Sequence, residues 1–89
     1  MSEAALQVDP GRELYVRHAR VDGRSVAVLR AIDRGDSCIV EAEVWPKDAL
    51  GTEPVRPGPY SFKSSVEATR FVTHAVEALI ALGCEVHAS

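Results

Sequence analysis

Three histidines and two cysteines are the side chains of this sequence best suited to binding a metal or acting as a nucleophile. Cys84 and His87 stand three positions apart, a spacing that metal ligands use, while His18 and Cys38 fall in apolar segments. A structural zinc site needs four ligands, commonly supplied as close-spaced pairs, and this sequence offers one such pair. We therefore expect no metal and no cofactor, with His18 as a partly buried histidine and Cys38 as an inert core thiol.

A second group of titratable residues, Arg70, His74 and Glu77, follows the spacing of one helix face. Glu77 could orient His74 as a general base, but the same trio is the ordinary charge ladder of an exposed helix. The sequence has no Gly-rich phosphate loop, no serine elbow and no His-Glu-x-x-His motif. We predict no catalytic residue, so a small enzyme or ligand-binding domain is the least favoured function.

Arginine is concentrated near the start of the chain, where residues 12–34 hold six arginines and three acidic residues. Arg17, Arg20 and Arg24 belong to the first predicted hairpin, whose expected register sets Arg20 opposite Arg24. Like charges that face each other are unfavourable, and a bound anion would relieve the repulsion. With Tyr15 and Trp45 nearby, this pattern indicates a surface for single-stranded nucleic acid. The net charge of −3 argues against it, so we keep nucleic-acid binding as the alternative function.

Composition places the chain among ordinary globular proteins. Its 89 residues suit one domain, with 46% apolar and 26% charged residues. No apolar run approaches the ~20 residues of a membrane span, and the first residues lack the features of a secretory signal. We expect a cytoplasmic protein with no membrane partner.

The chain divides into a short tail and one domain. Residues 1–11 end in Asp-Pro-Gly and are predicted to form a flexible tail. Residues 12–89 form the predicted α+β domain. Within it, residues 46–59 contain four prolines and two glycines and are predicted to form a long, stiffened loop.

Three segments, 12–20, 24–32 and 37–45, show the alternation and the Val, Ile, Tyr and Trp content of strands. Residues 60–62 predict a short fourth strand. Gly23 and Gly35 each end a predicted three-residue turn, 21–23 and 33–35, of the type I plus G1 bulge kind. These turns would put all even-numbered strand residues on one face, with Val28 between Val16 and Val40. A connection with an even number of residues would separate those sets onto opposite faces.

The helix signal is the strongest in the sequence. Ser64-x-x-Glu67 is a capping box, and Gly83 is placed to end the helix. Apolar residues recur between them at helical spacing: Ala68, Phe71, Val72, Ala75, Val76, Leu79, Ile80 and Leu82. We predict that this helix packs on the even face of the sheet. The expected fold is a three- to four-stranded antiparallel meander with one C-terminal helix on one face.

The odd face of the predicted sheet is more apolar than a solvated face needs to be. Tyr15, Leu29 and Ile39 share a predicted cross-strand row, and Trp45 lies at the end of the third strand. An apolar centre rimmed by charges is typical of an interaction surface. The leading hypothesis is therefore a small non-enzymatic protein-interaction module that forms a homodimer through this face or an open edge, with an unidentified protein as a further possible partner.

Overall fold

The structure, a computed structural model, describes residues 11–46 and 53–88. These residues form one antiparallel sheet and one helix. The strands are β1 (Arg12–Val21), β2 (Arg24–Asp33), β3 (Cys38–Val44), β4 (Tyr60–Phe62) and β5 (Glu85–Ala88), and the helix is α1 (Ser65–Ala81). The strand order is β4-β3-β2-β1-β5. The predicted α+β class is confirmed, and β5 adds a fifth strand beside β1.

β1 and β2 are joined by a two-residue turn, Asp22–Gly23, so the three-residue prediction is wrong here. Val21 pairs with Arg24, and the backbone φ is 52° at Asp22 and 78° at Gly23, as a type I′ turn requires. The register then shifts beyond Ala19, because β2 holds one extra residue at that point. The two-residue turn alone would pair odd residues of β1 with even residues of β2. Because of the bulge, odd residues pair with odd residues along the middle of the two strands, as the sequence predicted.

The connection between β2 and β3 contains four residues, 34–37, because Asp33 pairs with Cys38. The Arg34 N–H donates to the Ser37 carbonyl at 2.9 Å, and the Gly35 N–H donates to the Asp33 carboxylate at 2.8 Å. The predicted three-residue turn is therefore wrong here too. Because the connection has an even number of residues, odd residues of β2 pair with even residues of β3. The two faces of β3 are therefore exchanged relative to the prediction.

The two sides of the sheet follow from these registers. The helix face is the side packed against α1: Tyr15, Ala19, Ala27, Leu29, Ala31, Cys38, Val40 and Ala42. The open face is the opposite side: Glu13, Val16, His18, Arg20, Val28, Arg30, Ile32, Ile39, Glu41, Glu43, Glu85 and His87. The prediction that α1 packs on even residues is right for β3 and wrong for β1 and β2.

Small side chains let the helix approach the sheet closely. Five alanines, at positions 19, 27, 31, 42 and 68, are buried between the two layers. Larger side chains fill the end near β4, where the Phe71 ring centroid lies 4.9 Å from that of Tyr60 and 5.3 Å from that of Phe62. Val28, predicted for this core, is buried on the open face instead.

Both predicted ends of the helix are present. The Ser64 hydroxyl accepts the Glu67 N–H at 3.2 Å, and the Glu67 carboxylate accepts the Lys63 N–H at 3.2 Å. At the other end Gly83 has a φ of 98°, and the Cys84 N–H donates to the Leu79 carbonyl at 3.0 Å. That bond belongs to a Schellman motif, which turns the chain back toward β1 and starts β5.

The tail predicted for residues 1–11 lies outside the described residues except for Gly11, and so do residues 47–52 of the predicted loop. The rest of the loop runs along β3. Val55 and Val44 exchange two backbone hydrogen bonds of 2.7 and 2.8 Å, and the Gly58–Pro59 peptide bond is cis. Residues 56–59 form an arch beside the open face.

Candidate functional site

The open face is the side of the sheet on which candidate functional groups gather. In the described part of the chain, α1 packs only on the other side. Charged side chains occupy its middle, and apolar side chains lie toward both ends of the strands. The alternation of β2 and β3 produces this arrangement, since each second residue is directed away from the helix.

Arg30 is the centre of a charged row across three strands. Its Nε atom lies 3.0 Å from a carboxylate oxygen of Glu13 on β1, and its Nη1 atom lies 3.7 Å from one of Glu41 on β3. All three side chains are more than one-third exposed, so each pair contributes about 0–1 kcal/mol. One arginine faces two glutamates, so the row keeps a net charge of −1. Val16, the cross-strand partner of Arg30, is only 5% exposed.

A shallow groove of about 260 Å³ lies between this row and the arch at residues 56–59. Val28 lies in it beside the rings of Pro57 and Pro59. Arg56 contributes its guanidinium, whose Nη2 and Nε atoms lie 3.0 and 3.1 Å from one oxygen of Glu43. The groove therefore combines apolar walls with two opposite-charge pairs.

The apolar ends of the open face carry Ile32, Ile39 and Trp45. Ile32 and Ile39 are directly paired on β2 and β3 and are both partly exposed. Trp45 follows β3, and its backbone N–H donates to the Val26 carbonyl at 2.9 Å. The alternation of β3, continued by one residue, places Trp45 on the same side as Ile39.

The four residues predicted to form one interaction surface are divided between the two sides of the sheet. Leu29 is 7% exposed in the helix-face core. Tyr15 packs against the same core, and its hydroxyl is 2.8 Å from that of Thr69 on α1. Ile39 and Trp45 lie on the open face. The predicted row is wrong because the four-residue connection 34–37 turns β3 over relative to β2.

The predicted arginine cluster is also divided. Arg20 pairs with Ser25 and with Glu85, not with Arg24, which pairs with Val21. The like-charge pair was an artefact of the three-residue turn. Arg17 lies on the side opposite Arg20, with its guanidinium carbon 4.7 Å from the centroid of the Tyr15 ring. No geometry in the described residues joins these arginines into one basic groove.

The two cysteines are free thiols buried on the helix side. Burial, and then the charge of Asp33, raises the pKa of the Cys38 thiol above its ordinary value. A thiol held in its neutral form is a poor nucleophile. On the described residues no group of three or more His, Cys, Asp and Glu side chains is arranged to hold a metal ion.

Two arrangements of histidine remain on the surface. On α1, His74 Nδ1 lies 3.8 Å from a Glu77 oxygen, and both side chains are well exposed. On β5, His87 is the direct neighbour of His18 on β1. Sequence reasoning grouped His87 with Cys84 and missed this pairing, because the partner of a four-residue edge strand leaves no local signal. It also missed Arg56, which lies in the loop between β3 and β4.

Comparison with known proteins gives no match among family models, curated proteins or solved structures.

Across the described ranges, 11–46 and 53–88, no helix has the length and apolarity needed to cross a membrane.

Proposed function

We propose that this protein is a small non-enzymatic interaction module that self-associates through its open face. The observation that carries this proposal is the open face itself, where Ile32, Ile39 and Trp45 lie partly exposed beside charges that are already paired. Aromatic side chains and arginine are enriched at protein contacts, and this face presents Trp45 together with Arg30 and Arg56. We propose that a second copy of the chain covers this face.

The layout of the open face favours a two-fold partner. A two-fold contact must bring a surface against itself. An axis running across the strands near Ala42 would exchange their ends, so that the Ile32–Ile39 pair of one copy would lie against Trp45 of the other. The charged middle would then meet a charged middle, in which arginines and glutamates are both present.

The size of the face sets the expected strength. With strands ~4.8 Å apart and a rise of ~3.3 Å per residue, the sheet offers about 500 Å² per copy. Two copies would bury about 1,000 Å², the lower limit for a specific interface. We therefore expect a weak dimer, whose population depends on protein concentration.

Sedimentation equilibrium over a wide range of concentration tests the proposal. The wild-type mass should rise from the 9.6 kDa monomer toward twice that value. Ile39→Glu and Trp45→Glu should each hold the protein as a monomer, because each puts a charge into the contact. Thr73→Glu, on the exposed side of α1, should associate like the wild type.

A wild type that stays monomeric at every concentration overturns the proposal. So does a dimer that survives both open-face changes in variants whose circular dichroism is native. Nucleic-acid binding through Arg17, Arg20 and Arg24 stays a prediction, and no observation on the described residues favours it over self-association.

A further inference from the structure

We propose that His18 and His87 together form a chelating site for a divalent transition-metal ion of the zinc, nickel or copper class. The two residues are direct cross-strand partners on the antiparallel strands β1 and β5. Direct partners in an antiparallel pair point to the same side of the sheet, here the open face. The site is separate from the groove and requires no second copy of the chain.

The spacing of direct cross-strand partners suits two imidazoles that share one ion. Their Cβ atoms lie about 4.5–5.5 Å apart, and each imidazole nitrogen binds zinc at about 2.0–2.1 Å. Rotation about the side-chain bonds can therefore bring one nitrogen of each ring to a common centre. Imidazole selects zinc, nickel and copper, whereas magnesium and calcium prefer oxygen ligands.

Glu85 supplies an oxygen next to this pair. It lies two residues before His87 on the same side of β5, and its carboxylate oxygen is 3.7 Å from His87 Nε2. A carboxylate in that position can orient the His87 imidazole from outside the ligand set. His87 and Glu85 are both more than half exposed, so an ion and its remaining water ligands have access from solvent.

The chain contains a matched control for this site. His74 also lies beside a glutamate, with 3.8 Å between His74 Nδ1 and a Glu77 oxygen, compared with 3.7 Å at His87 and Glu85. Both histidines are exposed. The two places differ in that His87 has a histidine, His18, as its cross-strand partner. The chain has three histidines, so none is left to pair with His74. Chelation by two imidazoles therefore predicts binding at β5 and not on α1.

A titration of the full-length chain with zinc chloride, followed by NMR of the histidine rings and by calorimetry, tests the proposal. The His18 and His87 rings should shift together, at zinc concentrations that leave the His74 ring unchanged. His87→Gln and His18→Gln should each weaken zinc binding by about tenfold or more. Loss of an outer-shell partner alone has an effect of that size at metal sites. His74→Gln should bind like the wild type, and magnesium chloride should produce no shift.

Three results would overturn the site: no shift of the His18 and His87 rings, equal shifts at all three histidines, or zinc affinity that neither substitution lowers. His87→Gln is the safer variant for the fold because His87 lies on an exposed edge strand. Amide spectra of each variant without zinc establish that β5 is still paired with β1. If His18→Gln fails that control, the ring shifts of the wild type and the affinity of His87→Gln decide the question.

Discussion

The two sides of the sheet achieve burial by different means. On the helix face, alanines and Leu29 are covered by α1, and Val40 is fully buried. On the open face, Val16 and Val28 are almost as buried, but their neighbours are long charged side chains and the arch at residues 56–59. Apolar burial at one residue therefore does not identify the core. What distinguishes the core is a second layer of apolar side chains.

The largest effect on stability is expected from a change in the length of the connection between β2 and β3, because that length decides which side of β3 packs on α1. Deleting Asp36 leaves three residues between β2 and β3, which would direct Cys38 and Val40 away from α1. We expect the cooperative unfolding transition to be lost, as followed by circular dichroism during a urea titration. Deleting Asp36 and Ser37 together keeps the parity and should preserve a cooperative, though less stable, fold. A wild-type midpoint after the single deletion would contradict this assignment of faces.

A large cavity on the helix face should give the next largest effect. Leu29→Ala removes a buried side chain between β2 and α1 and should lower the free energy of unfolding by roughly 2–5 kcal/mol. Urea denaturation measures this loss, with Leu29→Met as the control expected to cost under about 1.5 kcal/mol. If Leu29→Ala lowered the free energy of unfolding by no more than the control, about 1 kcal/mol, Leu29 would not be part of the core.

The same substitution on each side gives the sharpest comparison. Val40→Thr buries a hydroxyl between sheet and helix and should cost about 1–3 kcal/mol, the penalty for an unsatisfied polar group. Val28→Thr places its hydroxyl in the groove, beside Arg30 and Glu43, and should cost under about 1 kcal/mol. Equal losses in paired urea titrations would show that the two sides are energetically alike.

Neutralising a charge on the open face should have the smallest effect. Glu41→Gln removes one exposed partner of Arg30 while Glu13 keeps the closer contact. The free energy of unfolding should change by no more than about 1 kcal/mol, and added salt should reduce the difference from the wild type. A larger, salt-insensitive loss would assign the charged row a structural role like that of the helix core.

The elements of this fold could be predicted because their signals are local. The capping box, the helical periodicity and Gly83 lie within one segment, and α1 begins and ends where they indicate. The alternation along each strand is equally local, so the division of β3 into two faces was also predictable. These signals were sufficient for the α+β class.

The assignment of faces could not be predicted reliably, since it depends on a single residue in a turn. Gly35 has a positive φ of 94°, which suits a three-residue or a four-residue connection. The pairing of His18 with His87 was out of reach for another reason. It joins residues far apart in the chain, and neither β1 nor β5 carries a mark of its partner. The candidate site depended on both of these features, so its predicted residues were divided between the two sides.

Because β5 pairs with β1, the first and last strands of the described residues are neighbours in space. A chain made from its N-terminus can form the β1–β2–β3 part of the sheet early, yet the β1 edge that receives β5 must wait for α1 and the turn at Gly83. Contacts between distant segments are the slow ones in folding, and an unpaired edge is exposed to association with other chains. The His18–His87 pair comes into existence only at this last step, so zinc binding there would serve as a signal that the protein has finished folding.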